Sequence, residues 1–197
     1  MKTRKRLTLP EIPDREQLEN ELARERYRGR YGSVLKSTVS ALIVVAALAI
    51  LVATLWLPVL QIYGSSMTPT LGEGEIVVSL KGTPMKQGEI VAFYYNNKIL
   101  VKRLIASSGE WVEIDDDGYV SVNGRTLEEP YVKEHALGDS NITFPYQVPE
   151  GRYFVMGDHR STSIDSRNTA VGCVSEEQIV GRIVFCIWPL NHFGRVK

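Results

Sequence analysis

The polarity pattern changes character along the chain. From Val39 to Leu60 there are 22 consecutive uncharged positions, and only Ser40, Thr54 and Pro58 among them are not hydrophobic. Coiled as a helix at ~1.5 Å per residue, this run spans about 33 Å, enough for the ~30 Å hydrocarbon core of a bilayer. The pattern predicts a transmembrane helix over 37–60. Before it, Asp14 to Arg30 mixes Glu and Arg with Leu18 and Leu22 at i,i+4 spacing, which predicts a short solvated helix with little apolar face.

Beyond the apolar run the text becomes strand-like. Stretches rich in Val, Ile, Tyr and Phe recur between turn signals, at Glu75–Leu80, Glu89–Tyr95, Ile99–Ile105, Trp111–Ile114, Tyr119–Val122, Arg152–Met156 and Ile179–Trp188. Asp117-Gly118 and Asn123-Gly124 bracket the fifth stretch and predict hairpin turns, Asn-Gly being suited to the positive φ angles of a type I′ turn. No long amphipathic helix interrupts this region. The expected fold is mainly β: an antiparallel β-sheet domain over 61–197, large enough to bury its own core, behind one N-terminal transmembrane helix.

Charge adds a direction. The chain holds 23 Lys/Arg and 23 Asp/Glu, a formal charge of zero, which argues against a nucleic-acid partner. Residues 1–36, a basic arm whose first 13 positions are punctuated by proline, carry 10 basic against 6 acidic side chains, leaving 13 against 17 for the rest. The positive-inside rule then predicts a cytoplasmic arm over 1–36, with everything after about residue 61 extracytoplasmic. Ala47-Leu48-Ala49 has the small-x-small look of a processing site. An n-region of that length and ten further apolar positions favour an uncleaved signal-anchor.

Cys173 and Cys186 lack CxxC spacing and sit in strand-like contexts, consistent with packed thiols or one disulfide. Asp115-Asp116-Asp117 lacks the alternating spacing of a calcium loop and predicts a charged turn. No metal site and no cofactor is expected.

Three polar segments are candidates for chemistry. Gly64-Ser65-Ser66-Met67-Thr68-Pro69-Thr70-Leu71 follows the apolar run and is a polar linker or a nucleophile loop; residue type alone does not separate Ser65 from Ser66. Lys102 and Arg103 are adjacent in a strand-like run, so they point to opposite faces and cannot both face solvent if one face is buried. Gly157 to Asn168 is dense in polar, turn-forming residues directly after an apolar strand. The aromatics Trp56, Tyr63, Trp188 and Phe193 suit either interfacial anchoring or core packing.

Taken in order, Gly64 to Leu71, Gly74-Glu75, Gly88 to Phe93, Val101 to Ile105 and Gly157 to Arg167 resemble the successive boxes of the bacterial type I signal peptidase (leader peptidase) family. The resemblance covers roughly residues 37–194, with 107–151 as a hairpin-containing insertion between boxes. It implies a membrane-anchored serine endopeptidase that removes signal peptides from secretory preproteins after a small-x-small motif. By that resemblance Ser66 is the nucleophile, Lys102 the general base and Ser163 the group orienting the lysine amine. Asp165 and Arg167 form a bracing ion pair, and the Ser66 N–H donates to the oxyanion.

The chemistry sets a condition on Lys102. A serine hydroxyl needs a positioned base, and lysine serves only when neutral. At its ordinary pKa of ~10.4, about one molecule in 2,500 is neutral at pH 7; a shift of ~3 units, which burial can supply, would make it competent.

By motif position Ile62, Tyr63, Met67, Leu71, Val77, Ala92, Leu100 and Val101 are candidates to line shallow apolar subsites. Departures from the family's pattern are Gly64 where some members carry a hydroxyl, His159 for asparagine, Glu75 and Glu89 for aspartate, and the pair Ser161-Thr162. Two other readings compete. A Ser-His-Asp hydrolase would use Ser66, His159 and Asp158 or Asp165, and an anchored β-domain that binds peptide without catalysis would leave Lys102 solvated.

Overall fold

The computed structural model describes residues 14–196, so the basic, proline-punctuated stretch 1–13 lies outside it. A single helix α1 runs from Arg15 to Trp56, 42 residues. The short polar helix expected over 14–30 and the apolar span are therefore one continuous element. No proline stands between Asp14 and Leu57, and Gly32 costs a helix only about 1 kcal/mol. The apolar part of α1 is exposed throughout and is long and apolar enough to cross a membrane. The expected span overshoots at its end. Pro58 disfavours helix at the residue before it, so α1 stops at Trp56 and the chain enters strand β1, Val59–Gln61.

From β1 onward the structure is antiparallel β, with strands β2 (Ile76–Leu80), β3 (Ile90–Tyr95), β4 (Lys98–Ala106), β5 (Trp111–Ile114), β6 (Val120–Val122), β7 (Arg125–Thr126), β8 (Tyr146–Gln147), β9 (Arg152–Met156), β10 (Val174–Ser175), β11 (Ile179–Trp188) and β12 (Gly194–Arg195). The larger sheet has the order β1-β2-β11-β3-β4-β9-β10, with β12 also paired to β11; the smaller is β7-β6-β5-β8. All seven expected strands are present within a residue or so of their ends. The additional ones, β1, β7, β8, β10 and β12, have two or three residues each, too few for an alternating pattern to register.

Strand alternation places the core. In β3, Ile90 and Ala92 join one apolar cluster with Met67, Leu71, Val77 and Ile183. Val91 and Phe93 join another with Leu104, Val155 and Val174. The large sheet is thus covered on both faces, which is why β3 reads as a nearly continuous apolar run. A third cluster, including Val112, Val120, Phe154 and Met156, packs the small sheet against β4 and β9. Each fully buried Val, Leu or Phe in these clusters contributes roughly 1.5–3 kcal/mol of transfer free energy.

Two tight turns fix the hairpins. Asn123 and Gly124 have φ of 53° and 76°, the two positive values the Asn-Gly pair predicts. Asn96 and Asn97, at 43° and 62°, close the β3–β4 hairpin in the same way, so that Val91 stands opposite Lys102 and Ile90 opposite Arg103. At Asp115–Asp117 the Asp115 carboxylate accepts the Tyr119 N–H at 2.8 Å, a side-chain-closed turn.

Candidate active site

Ser66 lies in the turn that follows β1, and Lys102 lies in the middle of β4. The Lys102 Nζ donates to Ser66 Oγ at 2.7 Å. Lys102 and Arg103 are 3% and 1% exposed, and the residues opposite them on β3, Val91 and Ile90, belong to different apolar clusters. These two adjacent cations are therefore both buried, one toward each side, whereas Lys98 at the start of the strand is exposed. Burial pulls the Lys102 amine down from 10.5 to about 8; the Asp165 carboxylate opposes this, Arg167 adds to it and Asp158 opposes it. No carboxylate of the described residues lies within ion-pair distance of Lys102.

The Gly157–Arg167 segment packs against this pair. Gly157 leaves no space for a side chain: a Cβ there would stand 2.5 Å from the Ser66 carbonyl oxygen and 2.3 Å from Ser163 Oγ. Gly157 N–H donates to Asp165 Oδ2 at 2.9 Å. Asp165 accepts from Arg167 Nε and a terminal guanidinium nitrogen, both at 2.8 Å, a bidentate pair that is fully buried. Burial would raise the Asp165 carboxyl, but the Arg167 hydrogen bonds and charge, the Gly157 N–H and the Ser163 hydroxyl together hold it below the ordinary carboxylate range. Ser163 is 1% exposed, yet its Oγ makes no hydrogen bond of standard geometry, to Lys102 or to any other described residue.

Two further buried ion pairs surround the site, and neither was apparent from the sequence. Arg103 donates to Asp158 Oδ1 and Oδ2 at 2.8 and 2.7 Å, to the Gly88 carbonyl at 2.6 Å, and lies 3.7 Å over the Tyr131 ring. Arg160 donates to Glu129 at 3.0 and 2.5 Å and, through Nε, to the Gly157 carbonyl at 3.1 Å. For Arg103 the only sequence signal is an arginine inside a strand that must be buried, which demands a carboxylate without saying which, and Arg160, in the turn segment after β9, carries no such signal.

The other candidate residues divide by exposure. Val77 and Ala92 at 0%, Leu71 at 1%, Met67 at 2% and Ile62 at 4% are packed in the core, while Leu100 and Val101 are half-buried and Tyr63 is exposed. Leu100 and Val101 pack on different clusters, so they line opposite sides of β4. Trp56, Tyr63, Trp188 and Phe193 are all exposed rather than core. Gly64 has φ of +81°, a conformation that strains any other residue, so the missing hydroxyl goes with a backbone suited to glycine.

His159 is not arranged for a Ser-His-Asp site. Its Nδ1 bonds Thr68 Oγ1, Asp158 is taken by Arg103, and Asp165 by Arg167. Cys173 and Cys186 are free buried thiols in different clusters, and burial pushes both up, away from the reactive thiolate. No group of three or more His, Cys, Asp or Glu among the described residues is arranged to hold a metal ion.

A family profile described as signal peptidase, peptidase S26, matches residues 35–188. Signal peptidase I T of Bacillus subtilis (strain 168) is 34% identical over 170 residues, covering 80% of this chain and 87% of its own. Signal peptidase IB of Staphylococcus aureus (strain COL) is 39% identical over 153 residues, covering 67% and 78%. A solved signal peptidase I from Enterococcus faecalis V583 shares 33% identity, covers 51% of this chain and 97% of its own, and has a TM-score of 0.42.

Proposed function

The chain belongs to the signal peptidase S26 family, and from that membership we propose that it removes signal peptides from secretory preproteins by a Ser66/Lys102 mechanism. The observation that carries the mechanism is the 2.7 Å contact between Ser66 Oγ and a lysine amine buried to 3% exposure. Neutral Lys102 Nζ takes the hydroxyl proton as Oγ attacks the scissile carbonyl carbon. Ser66 N–H, which makes no hydrogen bond among the described residues, donates to the oxyanion. As the tetrahedral intermediate collapses, the Lys102 ammonium returns the proton to the leaving amine. An ester on Ser66 remains, which water hydrolyses with Lys102 again as base. Asp165 and Arg167 brace the wall behind Lys102, and Ser163 positions its amine once substrate is bound.

Packing supports cleavage after a small-x-small motif. Ile62, Met67, Leu71, Val77 and Ala92 are already sealed, so subsites floored by them and edged by Tyr63 and Val101 are shallow and admit only small side chains, while Leu100 lies on the other side of β4. A substrate strand laid beside residues 100–102 presents its carbonyl to Ser66. The apolar span of α1 anchors the enzyme in the membrane lipid with residues 1–36 cytoplasmic and 61–197 extracytoplasmic. Substrate tethered to the same membrane then meets the enzyme at raised effective concentration. The exposed Trp56, Tyr63, Trp188 and Phe193 suit the membrane interface. The burial of Lys102 supports this reading over a peptide binder without catalysis, for which a solvated lysine would suffice.

The test compares wild type, Ser66→Ala and Lys102→Ala on a preprotein in detergent or lipid. Cleavage by wild type alone is expected; wild-type rates from either variant would overturn the mechanism.

A further inference from the structure

The backbone around the nucleophile is held from both sides by two residues that the mechanism above does not use. On one side, the Ser65 carbonyl oxygen accepts two hydrogen bonds from Thr68, from N–H at 3.1 Å and from Oγ1 at 2.8 Å. The Ser65 carbonyl and the Ser66 N–H are opposite edges of one planar trans peptide, so fixing the first aims the second. On the other side, His159 N–H donates to the Ser66 carbonyl oxygen at 3.1 Å. Gly157 packs against the same oxygen with no room for a Cβ.

The ring of His159 closes the arrangement. Its Nδ1 lies 3.1 Å from Thr68 Oγ1. A carbonyl oxygen cannot donate, so the single Thr68 hydroxyl hydrogen is spent on Ser65, and Thr68 Oγ1 can only accept from the ring. Nδ1 therefore carries a hydrogen, as it does in one neutral tautomer and in the imidazolium. The chain of donors runs His159 Nδ1–H to Thr68 Oγ1–H to the Ser65 carbonyl, and each bond in such a chain polarises the next.

We propose that Thr68 and His159 are a coupled pair of positioning residues that aim and polarise the Ser66 N–H toward the oxyanion. The proposal rests on the reading of Ser66 as nucleophile. A donor aimed at charge that exists only in the transition state acts on kcat rather than on KM, and an indirect neutral hydrogen bond is worth about three- to tenfold in rate.

The experiment uses the full chain in detergent with a preprotein substrate. Thr68→Val and His159→Ala should each lower kcat about three- to tenfold with KM nearly unchanged. The double variant should be no slower than the slower single, because the pair acts as one unit. His159→Asn, whose amide N–H can take the place of Nδ1–H, should restore most of the rate. The pH at which activity is half-maximal, set by Lys102, should not move in any variant. Thr68→Val preserves side-chain shape, so the test stands even where His159→Ala does not fold. Wild-type kcat in Thr68→Val, losses that multiply in the double variant, or a change confined to KM would each overturn the pairing while Ser66→Ala remains inactive. Activity in Ser66→Ala would instead overturn the nucleophile assignment beneath it.

Discussion

Arg103, Arg160 and Arg167 are buried as deeply as Lys102, at 1%, 0% and 0% exposure against 3%. Each arginine meets a carboxylate in a two-pronged pair, with Asp158, Glu129 and Asp165, whereas Lys102 meets the neutral Ser66 hydroxyl. The cost of removing a cation from water is common to both neighbourhoods, and the outcomes differ. A guanidinium cannot give up its proton, so the fold must supply a counter-charge, and the result is a rigid scaffold. An amine denied a close counter-charge is drawn toward its neutral form, and the result is a base. The arginine pairs hold the loops that carry Ser66 and Gly157 in place, so the stiff region maintains the geometry of the reactive one.

The contrast predicts effects of different kind and sign. The largest is on rate: Ser66→Ala and Lys102→Ala should each lose on the order of 10⁴-fold or more in preprotein cleavage, measured as single-turnover rates. Next comes stability on the arginine side. Arg167→Met leaves the Asp165 carboxylate buried without its partner and should cost about 3–5 kcal/mol, seen as a lower urea midpoint. On the lysine side the sign reverses. With its amine at about 8 in the fold against an ordinary 10.5, Lys102 weakens the folded state below pH 8 by up to about 3 kcal/mol. Lys102→Met should therefore be inactive yet more stable than wild type at pH 7. Its advantage should shrink as pH rises from 8 to 10.5, where the unfolded chain binds the extra proton. An equal loss of stability in Lys102→Met and Arg167→Met would erase the distinction. The smallest effect is on the activity profile: cleavage should rise about tenfold between pH 7 and 9 with a midpoint near 8, followed with an uncharged peptide substrate.

Much of this architecture is legible in the sequence where the signal is local. Strand alternation, the Asn123-Gly124 turn and the opposed directions of Lys102 and Arg103 are consequences of neighbouring residues, and all appear in the fold. The long-range facts are not local and were not legible. Nothing near Arg103 indicates that its partner is Asp158, 55 positions away, or that β11 inserts between β2 and β3. The helix α1 ends before the apolar run does because hydropathy continues through Pro58 while helical backbone does not. For the site, the ordered boxes nominate Ser66 and Lys102; the 2.7 Å contact and the burial that lowers the amine are properties of packing.

The Asn96-Asn97 turn acts as a counter for the chemistry. Side chains along β4 alternate faces with a period of two, so the number of residues in that turn decides the parity of everything after it. Adding one residue there would bring Val101, which has no amine to take a proton, to the place where Lys102 now touches Ser66, and would send the lysine to the place of Arg103, toward Asp158. The identity of the base is thus encoded partly in a count, held by two asparagines that tolerate left-handed backbone some five residues away from the amine they position.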